Sequence, residues 1–145
     1  MNYPPPKDIR HLNPVFLLGG HDLEMIEIRK ILDELNIRYF DNNLLWGAGL
    51  SAYKNVLDDE HYFIGIELTK DIPLPKHYID VDHHNENVHK PSCIEQIAEL
   101  LDLKLNHWQQ LIAANDRGYI PGMEVLKTIN EDTSMIIIVL VSTLK

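Results

Sequence analysis

Between Tyr78 and Asn87 the chain reads YIDVDHHNEN, which places Asp82, His83 and His84 in succession with Asp80 and Glu86 on either side. Carboxylates crowded against one another and against imidazoles destabilise a folded surface unless a cation or a proton of the substrate compensates them. Neutral imidazole and carboxylate oxygen are also the ligands that divalent first-row metals accept. The stretch therefore points to metal-assisted chemistry, in which bound ions polarise a phosphoryl or carbonyl oxygen and activate water.

Such residues act only if the fold brings them together, and the hydropathy pattern shows how it does so. VFLLGG (Val15 to Gly20) is a short apolar run closed by two glycines, which predicts a buried strand and a tight turn. Met25, Ile28, Leu32 and Leu35 then recur at helical spacing, with Glu24, Glu27, Arg29 and Lys30 between them. IRYFD (Ile37 to Asp41), HYFIGIEL (His61 to Leu68) and HYIDV (His77 to Val81) read as three further strands, and Leu44 to Asp58 as a helix loosened by glycines at its start. Two more helical stretches, Ser92 to Leu101 and Leu105 to Ala114, follow. Alternation of strands and helices predicts an α/β three-layer sandwich, a mostly parallel β-sheet flanked by helices, with the strands' C-terminal ends along one ligand-binding edge. That edge would collect His21, Asp22 and Glu24 after the first strand, Glu67 at the third and Asp82, His83 and His84 after the fourth. Asp116, between a helix end and a Gly/Pro turn, is a further candidate ligand, and Asp41, beside Asn42 and Asn43, reads as loop and stays outside the site.

Composition narrows the function. A chain of 145 residues, 45% hydrophobic and 24% charged, is long enough for a real core and is expected to form a single domain. Residues 1 to 14 are Pro-rich and expected to be extended, and 130 to 145, with MIIIVLV at Met135 to Val141, form an atypical C-terminus that reads as either a minimal or a truncated end. That apolar run falls short of the roughly 20 residues that span a bilayer, so no membrane partner is expected. The net charge of 13 − 22 = −9 argues against a large nucleic-acid surface, since phosphate binding rests on Lys and Arg. One cysteine, Cys93, excludes an internal disulfide framework, and the N-terminus lacks a basic-then-apolar signal pattern, so a cytoplasmic protein is expected. Cys93 has no activating neighbour in sequence and reads as a small core residue.

The order of these motifs resembles the DHH phosphoesterases, a family of exonucleases, family II inorganic pyrophosphatases and hydrolases of short oligonucleotides and cyclic dinucleotides. Residue by residue, its first motif falls on His21, Asp22 and Glu24, its second on Glu67, its third on Asp82, His83 and His84, and its fourth on Asp116, a match covering roughly residues 15 to 120. Two departures stand out. His21 directly precedes an Asp-x-Glu where the family spaces its histidine ahead of Asp-x-Asp, and Glu67 stands where Asp is usual. No counterpart of the family's second domain is expected after Asp116.

The resemblance implies a phosphodiester or phosphoanhydride of nucleotide or oligonucleotide type, hydrolysed by metal-activated water with two Mn2+ ions, Mg2+ also fitting. Glu67 or Asp116 would bridge the ions, His21 and Asp22 would hold one, and Glu24 and His83 the other. Asp82 and His84 would orient ligands or polarise substrate, and Arg117 would offset phosphate charge. The expected partner is a phosphate-containing small molecule or a short oligonucleotide. Each residue also has a plainer reading: Asp22 suits an N-cap, the Gly-Gly pair a simple turn, and Glu67 an exposed strand end. A catalytically degenerate module that binds nucleotide or metal is the alternative.

Overall fold

The computed structural model describes residues 8–83 and 90–114. The chain divides into two compact units, Met1–Lys104 and Leu105–Lys145. Among its described residues the first holds four strands, β1 (Val15–Leu18), β2 (Tyr39–Asp41), β3 (Phe63–Ile66) and β4 (Tyr78–Val81), and two α-helices, α1 (Leu23–Glu34) and α2 (Cys93–Leu100). All strand pairs are parallel, in the order β2-β1-β3-β4. The molecule is thus an α/β fold built on a parallel sheet.

Every residue of β1 and β3 is buried, which is why both appear in the sequence as unbroken apolar runs instead of alternating ones. The register pairs Leu17 with Gly65 and Phe16 with Ile64, so one face of the sheet carries Val15, Leu17 and Phe63. Leu50, Tyr53 and Leu68 close that face into a core cluster. Right-handed crossovers send α1 to the other face, the side of Phe16, Leu18, Ile64 and Ile66. There α1 packs on α2 and α2 on β4, with Met25, Ile28, Leu32, Ile94 and Ile97 fully buried.

Two stretches differ from the pattern-based expectation. Ile9–Leu12 forms a single 3-10 turn inside the segment expected to be extended, because the Asp8 carboxylate caps the Arg10 amide and the prolines lie outside the turn. Leu44 to Asp58 is not an α-helix. Its first residues form a loop in which Gly47 takes φ +87, and only Leu50–Val56 coils, as a 3-10 helix. Tyr53 fastens that helix to the sheet by donating its hydroxyl to the Leu18 carbonyl (2.5 Å) while accepting from the Asn42 amide (3.1 Å). Contacts to β1 and β2 thus override a helical periodicity that glycine had already weakened.

Ser92 starts α2 with a reciprocal capping box: its side chain takes the Glu95 amide and the Glu95 carboxylate takes the Ser92 amide. Ser92 is completely buried. Replacing it with alanine is expected to cost about 1 kcal/mol, read as a lower denaturant midpoint at unchanged slope.

In the second unit, residues 107–114 are helical, and Asn106 and Gln109 exchange side-chain-to-amide hydrogen bonds at its start (2.8 and 2.9 Å). Asp116, Arg117 and the Met135 to Val141 run, like His84, lie outside the described residues. Among the described residues no helix is long and apolar enough to cross a membrane.

Candidate functional site

With β2 on one side of β1 and β3 on the other, the chain leaves β1 and β3 in opposite directions at their C-terminal ends. Open parallel sheets bind ligands at this switch point. Gly19 lines it because nothing larger fits: a Cβ there would stand 2.7 Å from the Glu67 carbonyl oxygen and closer still to that of Ile66. Glu67, the first residue beyond β3, has φ +52. Among the described residues, the other non-glycine residues with positive φ are Asn13, Asn36, Asn43 and Asp102, whose short polar side chains suit that region, whereas a longer side chain is unusual there. The turn is anchored by the Glu67 amide, which donates to the Val81 carbonyl (2.8 Å).

Three side chains meet behind this edge. Asp22 caps α1, its carboxylate accepting the Met25 amide (2.8 Å), and so orients the first helical turn. From that turn Glu24, only 4% exposed, reaches α2 and accepts the Ile94 amide with Oε2 (3.1 Å). An anionic group at a helix N-terminus is favourable, since the amides there lack helical partners. Glu67, 9% exposed, accepts the Cys93 thiol proton with Oε1 (3.3 Å). One ligand atom from each of Glu24, Glu67 and Cys93 lies within 4.8 Å of the others, and all three residues are buried. Two buried carboxylates at this separation repel one another when both are charged, which a bound cation would offset.

The remaining candidates take other places. Asp82, directly after β4, is half-buried, with its carbonyl accepting from Gln96 Nε2 (3.0 Å), and His83 beside it is buried. Because β3 and β4 are adjacent and parallel, this pair lies on the same sheet edge as Glu67. His21 turns to Asp41, with Nε2 3.0 Å from both carboxylate oxygens. Asp80, two residues before Asp82, faces the opposite side from Val81 and pairs with Lys70 (3.4 Å). Thus Glu24 and Glu67 come together in the buried group, Asp22 serves α1 as its cap, and Cys93 enters as a third donor that sequence reading had placed in the core. Its position at the start of a helix nine residues beyond His84 was the available signal, but nothing local tied it to Glu67.

Asp41, read as loop, also gains a role. Burial alone would raise its carboxyl, but hydrogen bonds from His21, the Asn43 amide (2.9 Å) and Arg29 (3.1 Å) outweigh it and hold Asp41 below the usual carboxylate range. A carboxyl whose folded value is depressed adds stability above its unfolded value and loses it as pH falls through the folded one. Wild type is therefore expected to lose stability below about pH 4 more steeply than Asp41→Asn, measured by urea unfolding at stepped pH.

The opposite, N-terminal edge carries a cleft lined by Asn13, Pro14, Asn36, Arg38 and His61, which contains none of the candidate residues. No protein family model, no curated protein and no solved structure matches the chain.

Proposed function

We propose that the protein is a metal-dependent phosphoesterase that hydrolyses a phosphodiester or phosphoanhydride of nucleotide or short-oligonucleotide type, as the resemblance to the DHH phosphoesterases implies. The observation that supports this most is the buried Glu24–Glu67–Cys93 group at the switch point of a parallel sheet, on the edge where Asp82 and His83 follow β4. The donor set fits a divalent ion. Two carboxylates suit manganese or magnesium, and the thiol extends the range to zinc. Such an ion supplies the positive charge that polarises a phosphoryl oxygen and acidifies water. Glu24 and Glu67 hold it and Cys93 completes the described donors, while His83 and Asp82 offer an imidazole and a carboxylate beside them. A cytoplasmic location accords with this, since a lone thiol stays reduced there.

The same group also favours the alternative, a module that binds metal or nucleotide without turnover. Glu24 is committed to the Ile94 amide and Glu67 to the Cys93 thiol, so the fold already uses both acids. One experiment divides the readings: metal content of the purified protein, then hydrolysis of bis(p-nitrophenyl) phosphate with manganese, magnesium or zinc, with and without chelator. Chelator-sensitive turnover that falls at least tenfold in His83→Ala is expected. Bound metal without turnover assigns the binding module, and absence of both rejects the proposal.

A further inference from the structure

The cleft at the N-terminal edge of the sheet encloses about 430 Å3, within the range of small-molecule sites. Pro14, Val15 and Ile37 give it apolar walls, and Arg10, Arg38 and His61 bring basic groups. Among the described residues no acid lines it, which inverts locally the sign of a chain whose net charge is −9. A second cavity of about 180 Å3 adjoins it through Val15, Arg38 and His61 and extends to the rings of Phe40 and Phe63. The basic groups are not equivalent. Arg10 forks onto the Asp8 carboxylate (Nη2 to Oδ2 2.6 Å, Nε 3.0 Å from both oxygens). His61 Nδ1 lies 2.7 Å from Asp58, whose carboxylate also accepts the Glu60 and His61 amides (2.9 and 2.8 Å). Arg38 enters none of the ion pairs formed among the described residues. Its guanidinium lies 5.3 Å from the centre of the Phe40 ring, a cation–π contact that holds the charge in place without neutralising it.

We infer that this cleft binds an organic monocarboxylate with a small apolar body, the carboxylate on the Arg38 guanidinium and the body against Pro14, Val15 and Ile37. One guanidinium without a carboxylate partner matches one negative charge, and its planar fork fits the two oxygens of a carboxylate. An inorganic anion would leave the apolar walls uncovered, and a neutral apolar molecule would leave the charge unmatched. Asn13 and Asn36 add amide donors at the rim, although their left-handed backbone, φ 50 and 58, is reason enough for asparagine at both positions. The site lies at the start of β1, the end opposite the Glu24–Glu67–Cys93 group, and so stands apart from the phosphoesterase reading.

The test is a titration of the isotope-labelled full chain with hexanoate, followed by amide proton–nitrogen correlation spectra, with hexanol, acetate and inorganic phosphate titrated in parallel. Hexanoate is expected to move the amide resonances of Val15, Asn36 and Arg38 saturably and to bind more tightly than any of the other three. Arg38→Gln is expected to weaken hexanoate binding about tenfold or more, the worth of a charge-assisted hydrogen bond. Arg38 is exposed, so the variant keeps the fold, which its own spectrum verifies. Asn36→Gly, which accepts the left-handed backbone, is expected to cause a smaller loss than Arg38→Gln. Absence of saturable shifts at these residues, equal hexanoate affinity in wild type and Arg38→Gln, or phosphate, acetate or hexanol bound as tightly as hexanoate overturns the inference.

Discussion

Replacing Glu24 with glutamine is expected to abolish the rise in melting temperature that manganese or zinc produces in wild type. Glutamine is nearly isosteric and its amide oxygen can still accept the Ile94 N–H that Glu24 Oε2 takes at 3.1 Å. What it removes is one of two buried carboxyl groups packed against each other and a thiol. With a cation, it deletes a ligand. A metal at a hundred times its dissociation constant stabilises the native state by about 2.7 kcal/mol, and that increment is what the variant forfeits. Thermal scans of both proteins with chelator and with each ion give all four values. If no divalent ion moves the wild-type melting temperature, the reading of Glu24 as a metal ligand fails.

Gly19→Ala is expected to cost about 3 kcal/mol, the upper part of the range for overpacking a close-fitted core. The new methyl would meet the carbonyls of Ile66 and Glu67, main-chain atoms at the end of the central strand β3 that cannot rotate away. Gly65→Ala makes the useful contrast. Its methyl would meet chiefly the Tyr78 hydroxyl, the far end of a side chain, so a smaller loss follows even though Gly65 lies in mid-strand. Urea unfolding of the two variants measures the difference. A Gly19→Ala protein within 0.5 kcal/mol of wild type, about the scatter of neutral surface changes, would falsify the close approach of β1 and β3 described above. Any metal affinity should fall with it, because the same displacement moves Glu67.

Local sequence was enough for the elements whose environment is uniform along their length. Val15 to Leu18 and Phe63 to Ile66 are apolar at every position because both faces of a central parallel strand are covered. Helix α1 shows its buried stripe through Met25, Ile28 and Leu32, and Asp22 is where a cap belongs. Alternation of such elements already implied a parallel sheet and put Glu24, Glu67, Asp82 and His83 near one edge. The stretch from Leu44 to Asp58 was not legible in this way, because its conformation follows from Tyr53 reaching the Leu18 carbonyl, 35 residues back in the chain.

The site followed the same division. Residue types and strand ends determined which acids and imidazoles were available, since a side chain's chemistry and the side of the sheet it occupies are local properties. Which of them touch was decided by tertiary structure. Glu24 reaches Ile94 across 70 positions, Cys93 reaches Glu67 across 26, and His21 turns to Asp41 across 20. Those pairings depend on strand order, on the left-handed turn at Glu67 and on where α2 begins relative to α1. Hydropathy periodicity encodes none of these, because it records whether a residue is buried and not against what.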